Sequence, residues 1–132
     1  MHTEYYKDGT PCECDEMRRG YYNSGVLCWE EPRINNEREG IQKWYYESGI
    51  LAQETIFISG TKYGPEFYYD QDGFLSSIHN YMNALSHGMT KVYNKSRILA
   101  SEHMYICGAP FSFPKFGTFS RKMEICPIEN YV

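Results

Sequence analysis

Three sets of residues in this chain have side chains that could do chemistry. Cys12-Glu13-Cys14 places two thiols on one side of a strand, where Cys28 or a histidine would complete a zinc ligand set. The set lacks the paired two-residue spacings of structural zinc sites, so free thiols are the plainer reading. His79 and His103 occupy the same place in successive units of the chain. As neighbours on the face that carries the repeated Tyr and Leu they could ligate a metal or sense pH, and the plainer reading is two partly exposed polar side chains near an edge. Glu30, Glu54 and Glu102 form a third set. Carboxylates do acid–base work when paired and desolvated, whereas a repeated exposed Glu keeps a sheet soluble and its edge unpaired. No Gly-rich phosphate loop entering a helix, no nucleophile elbow and no triad order is present. The expectation is a protein that is not an enzyme and that carries no cofactor and no metal.

The elements that hold these side chains repeat. Tyr21, Tyr45, Tyr69 and Tyr93 keep one interval of 24 residues, and so do Leu27, Leu51, Leu75 and Leu99. Gly25, Gly49 and Gly73 follow it, as do Gly40, Gly64 and Gly88. A period in this range marks a stacked repeat. In Tyr45-Tyr46-Glu47-Ser48-Gly49-Ile50-Leu51 a Ser-Gly turn separates two runs of aromatic and branched residues, the composition of a short β-hairpin. With Glu47, Ser48 and Gly49 as the loop, Tyr46 faces Ile50 and Tyr45 faces Leu51, and Gly49 takes a positive φ. The returning strand runs from Leu51 to Ile58, Ser59-Gly60 makes a second turn, and Gly64 marks a bend.

The fold class expected is therefore all-β: a repeat protein whose antiparallel β-hairpin meander, of about seven or eight strands, forms an elongated twisted sheet. Strict alternation puts Tyr45, Leu51 and Phe57, then Tyr69, Leu75 and Tyr81, then Tyr93, Leu99 and Tyr105 on one face. The other face carries Val26, Ile50, Phe74 and Ile98 with a column of small residues, Cys28, Ala52, Ser76 and Ala100. Both faces then have an apolar stripe, so the sheet must curl, be covered or bind something.

Three segments follow. Residues 1–20 hold a shorter version of the unit in Tyr5-Tyr6-Lys7-Asp8-Gly9 and read as an atypical N-terminal repeat or cap, an edge hairpin. Residues 21–108 hold the 24-residue units. Residues 109–132 break the period with an aromatic, proline-rich stretch that reads as a C-terminal cap or a docking tail on a neighbouring subunit.

The pattern aromatic-Tyr-x-x-Gly-x-Leu-x-x-Glu, followed by a Gly-x-x-x-Gly spacing, resembles the MORN repeat, in the variant form of antitoxin-like bacterial proteins and proteins of large DNA viruses. Tyr21, Gly25, Leu27 and Glu30 carry the resemblance, then Tyr45, Tyr46, Gly49, Leu51, Glu54, Gly60 and Gly64, then Tyr69, Gly73, Leu75 and Gly88, then Tyr93, Leu99, Glu102 and Gly108. Arg97 stands in place of the last turn Gly, Ile78 in place of one Glu, and residues 32–39 are too polar for a returning strand of this type. The resemblance implies a hairpin-built sheet used for protein contacts, tethering or homotypic assembly, without shared catalytic machinery.

Charge narrows the partners. Thirteen Lys plus Arg stand against 17 Asp plus Glu, net charge -4, with the signs interspersed. Nucleic acid and anionic lipid are held through basic patches, so the expectation is no nucleic acid and no membrane. The first residues show no secretory signal and no spanning segment follows, which points to a cytoplasmic setting, or a virion, and to reduced structural cysteines. The expected partner is another protein or copies of this chain. Tyr45, Tyr69, Tyr93, Phe57, Tyr81, Tyr105, Phe111, Phe113 and Phe116 are the candidate partner-binding residues. The function expected is a non-enzymatic protein–protein interaction scaffold, one specific version of which is an antitoxin or immunity-like protein; the alternative is a structural subunit, cement or minor capsid-like, of a larger assembly such as a virion.

Overall fold

The computed structural model describes residues 3–111. These residues contain no helix. The 24-residue period of the sequence becomes a period of strands. Six-residue strands open each unit: β3 (Glu16–Tyr21), β6 (Gly40–Tyr45), β9 (Gly64–Tyr69) and β12 (Gly88–Tyr93). Eight-residue strands return: β4 (Leu27–Ile34), β7 (Leu51–Ile58), β10 (Leu75–Met82) and β13 (Leu99–Ile106). A short strand then follows each one: β5 (Glu37–Arg38), β8 (Thr61–Lys62), β11 (Leu85–Ser86) and β14 (Ala109–Phe111). Together they form one open antiparallel sheet of 12 strands, ordered β14-β13-β12-β10-β9-β7-β6-β4-β3, with β5, β8 and β11 pairing at one margin. The eight steps of this path cover roughly 38 Å at about 4.8 Å each. Ahead of it, β1 (Glu4–Tyr5) and β2 (Pro11–Cys12) form a separate two-stranded hairpin. Residues 32–39 are less disruptive than their polarity suggested: β4 runs through Pro32 to Ile34, and its turn follows directly.

Two kinds of turn alternate. At the tips, the N–H of Tyr46 donates to the Ile50 carbonyl, and the N–H of Gly49 to the Tyr46 carbonyl, both at 2.8 Å. Tyr45 pairs with Leu51, as the spacing implied. The same two bonds recur at Tyr6, Tyr22, Asp70 and Asn94. Gly49 sits at φ +94°, a conformation that strains a residue with a Cβ. Arg97 takes φ 66° to make the same turn. At the opposite margin are two-residue turns with both residues left-handed, Asn35-Asn36, Ser59-Gly60, Asn83-Ala84 and Cys107-Gly108, whose twist matches that of the flanking strands. These turns are tied in series: Gly60 donates to the Arg38 carbonyl, Ala84 to that of Lys62 and Gly108 to that of Ser86.

Each long strand carries a bulge just past its tip turn. Tyr45 pairs with Leu51 but Trp44 with Gln53, leaving Ala52 as the extra residue. Cys28, Ser76 and Ala100 are skipped in the same way. The column of small residues is thus a column of bulges, and it corrects the alternation expected from the sequence. One extra residue inverts every side chain beyond it. Tyr45 and Leu51 share a face with Lys43, Glu54 and Ile56, while Phe57 lies on the opposite face with Trp44, Gln42 and Thr55. Tyr81 and Tyr105, opposite Gly64 and Gly88, are displaced from the Tyr69 and Tyr93 face in the same manner.

The β1–β2 hairpin lies over the tyrosine–leucine face at the β3 end. Tyr6, Cys12 and Cys14 are buried there, with Met17 and Ile34 of the sheet packed against them. Cys12, Cys14 and Cys28 are free thiols, and burial pushes the Cys14 thiol up to about 12, keeping it protonated. Cys107 is disulfide-bonded, a departure from the reduced set expected.

Candidate functional site

Where the N-terminal hairpin meets the sheet, the floor is a buried carboxylate. Glu30 is 0% exposed and accepts the Lys7 N–H at both oxygens, 3.0 and 2.9 Å, the Arg19 guanidinium at 3.1 Å and the Tyr45 hydroxyl at 2.7 Å. Burial first, then the bond to Glu30, pushes the Tyr45 hydroxyl well above the ordinary tyrosine range, so it stays a donor. Around this centre Tyr6 donates to the Ile41 carbonyl at 2.7 Å, Lys43 pairs with Asp8 at 3.1 Å, and Lys7 lies 4.7 Å over the Tyr45 ring. Hydrogen bonds from Thr10, then Lys43, hold the Asp8 carboxyl down at about 2. The arrangement repeats in weaker form one unit on, where Tyr69 stands 3.4 Å from Glu54. The repeated Glu column is thus an internal anchor in its first member and a half-open one in its second, and only Glu102 is exposed as the whole row was expected to be.

The opposite face carries a row of polar side chains across the strands. Cross-strand pairs place Arg18 beside Glu31, Gln42 beside Thr55, Glu66 beside His79 and Thr90 beside His103. Glu66, 1% exposed, accepts bonds from Thr55 at 2.7 Å, Tyr68 at 2.9 Å, Lys62 at 3.0 Å and Gln53 at 3.2 Å. Burial opposes its charge, but the bonds from Thr55, Lys62 and Tyr68 outweigh this and hold the carboxyl below its ordinary range. Among the described residues every buried side-chain polar atom has a partner. Large side chains wall this row: Arg38 lies 5.0 Å over the Phe57 ring, and Lys62 lies 4.9 Å over that of Tyr81.

This geometry bears on chemistry. A carboxylate whose oxygens are filled by fixed donors has no lone pair for a substrate, and Glu66 is displaced away from the neutral range that proton transfer needs. His79 and His103 lie on the face opposite Tyr45 and Leu51, not on it, because the bulges invert the alternation. They stand on β10 and β13 with β12 between, two strand spacings or about 10 Å apart at the backbone. His79 packs edge-on against Tyr68 at 5.4 Å. No group of three or more metal-binding side chains, and no helix long and apolar enough to cross a membrane, occurs among the described residues.

The expected partner-binding residues therefore divide. Tyr45 and Phe57 are buried within the fold, at 6% and 4% exposure. Tyr69 and Tyr93 are half-buried on the tyrosine–leucine face, which Phe111 joins through its pairing with Met104. Tyr81 and Tyr105 are half-buried on the other face. Phe113 and Phe116 lie outside the described residues. The residues missed were Ile41 and Ile58, exposed on the tyrosine–leucine face, although both follow the 24-residue interval from Met17 and Ile34.

The chain matches no protein-family model, no curated protein and no solved structure.

Proposed function

We propose that the chain is a non-enzymatic protein–protein interaction scaffold built from MORN-like units, and that it receives its partner on the tyrosine–leucine face. One observation carries this reading. The N-terminal hairpin covers that face at the β3 end, while Ile41, Ile58 and Leu99 of the same face remain 36%, 47% and 43% exposed. Apolar side chains recurring along one face are the signature of a docking surface. An antitoxin or immunity-like protein, which neutralises its target by occupying it, is one form of such a scaffold. Assembly through sheet edges, as in a structural subunit, is the second reading; among the described residues the outermost strands carry Pro110 on β14 and Glu16, Arg18 and Arg19 on β3, features that protect edges from pairing.

The test is affinity capture with the purified chain and with Leu99→Asp and Tyr105→Asp, one substitution on each face. A partner lost with Leu99→Asp and kept with Tyr105→Asp supports the reading. A partner indifferent to both, or self-association as the sole result in light scattering, overturns it.

A further inference from the structure

The N-terminal hairpin occupies a site that the sequence builds a second time. In the first, the turn N–H of Lys7 meets Glu30, Tyr6 donates to the Ile41 carbonyl, Asp8 pairs with Lys43, and the apolar side of the hairpin rests on Met17 and Ile34. One unit of 24 residues further on, the same places hold Glu54 for Glu30, Pro65 for Ile41, Phe67 for Lys43, and Ile41 and Ile58 for Met17 and Ile34.

Three observations identify this second site as open. The Glu54 side chain is 23% exposed where that of Glu30 is 0%. The Tyr69 hydroxyl stands 3.4 Å from its carboxylate, against 2.7 Å for Tyr45. Ile41 and Ile58 are among the exposed large hydrophobic residues, while Met17 and Ile34 are packed under the hairpin.

We infer that the second site docks the tip of a β-hairpin from a different polypeptide. This deepens the scaffold reading and rests on it. The occupied site shows how such a tip binds: one turn N–H spans both oxygens of the carboxylate, and an aromatic hydroxyl reaches a strand carbonyl. The differences specify the ligand. Phe67 in place of Lys43 calls for an apolar side chain where the N-terminal hairpin has Asp8, since a carboxylate pressed on that ring would lose its water without gaining a cation. Pro65 keeps its carbonyl but has no N–H, so the ligand's hydroxyl donates there and accepts nothing. A second copy of the chain is disfavoured as the occupant, because its own hairpin brings Asp8 to Phe67.

The probe is a head-to-tail cyclised peptide of residues 3–12 carrying Asp8→Phe, titrated calorimetrically into the full chain beside the unsubstituted cyclic peptide. The substituted peptide is expected to bind at least about tenfold more tightly. Ile58→Asp or Glu54→Gln in the full chain is expected to weaken it by a similar factor, with the denaturation midpoint of each variant checked for folding. Equal binding of both peptides, no binding of either, or binding that survives both substitutions overturns the inference. If the peptides fail while a captured partner still requires Leu99, the hairpin site falls and the scaffold reading stands.

Discussion

Tyr45 donates its hydroxyl to the Glu30 carboxylate at 2.7 Å, joining two successive units through a side chain on each. The same column weakens along the chain: Tyr69 stands 3.4 Å from Glu54, and Tyr93 has Ile78 in the matching place. Replacing each tyrosine by phenylalanine should therefore give a graded series. Tyr45→Phe leaves a buried charge short of one donor and should cost about 1.5–3 kcal/mol. Tyr69→Phe should cost under about 1 kcal/mol, and Tyr93→Phe about zero. Urea denaturation midpoints measure all three, and equal losses would contradict the gradient.

The tip turns give a second series. Gly49→Val and Gly73→Val should each lose at least about 1 kcal/mol, because both glycines sit at φ above +90°. Arg97 bears the same strain but lies 3.3 Å over the Phe74 ring. Relief of strain is worth about 1–2 kcal/mol, against which stand about 0.5–1 kcal/mol for the extra chain entropy of Gly and about 0.5–1 kcal/mol for the lost exposed cation–π contact. Arg97→Gly alone should thus be near neutral, and in a Phe74→Ala background it should stabilise. A clear loss in that background would mean that Arg97 is not strained.

Acid should act through Glu66. Its carboxyl is held below the ordinary value of 4.5, so its charge-dependent contribution is fully present above that pH and is lost as pH falls through the lowered value. Glu66→Gln should cost about 1.5–3 kcal/mol at pH 7 and flatten the fall of stability below pH 4.5. Thermal melts from pH 7 down to pH 3 test this. An unchanged slope in the variant would assign the acid sensitivity elsewhere.

Gly20 has a steric reason to lack a side chain. A Cβ built there would run into the Trp29 ring lying across it. Gly20→Val should displace Trp29, separate it from Trp44, now 6.2 Å away, and cost about 1–3 kcal/mol by overpacking. The tryptophan emission should shift together with the midpoint; a shift in neither would sink the packing assignment.

The period was legible because equivalent places need equivalent residues: a left-handed tip selects Gly, and the Tyr45 and Leu51 pair selects bulk. What alternation could not reveal was Ala52. A bulge leaves only a small side chain as its trace, and one extra residue moved Phe57, Tyr81 and Tyr105 to the far face. The depth of Glu30 was also hidden, because its burial comes from a hairpin some 20 residues upstream that supplies the Lys7 N–H. Ile41 and Ile58 were readable in principle, as the later members of the columns begun by Met17 and Ile34. Their exposure became meaningful only once the hairpin was seen resting on the earlier members.

Four units each insert a single skipped residue, at Cys28, Ala52, Ser76 and Ala100. A bulge adds right-handed rotation to the strand that bears it, and here the increments occur at one margin and in one sense. A chain lengthened by further copies of the same unit would therefore wind around an axis, presenting its successive tyrosines along a helical path, so its reach would grow more slowly than its length.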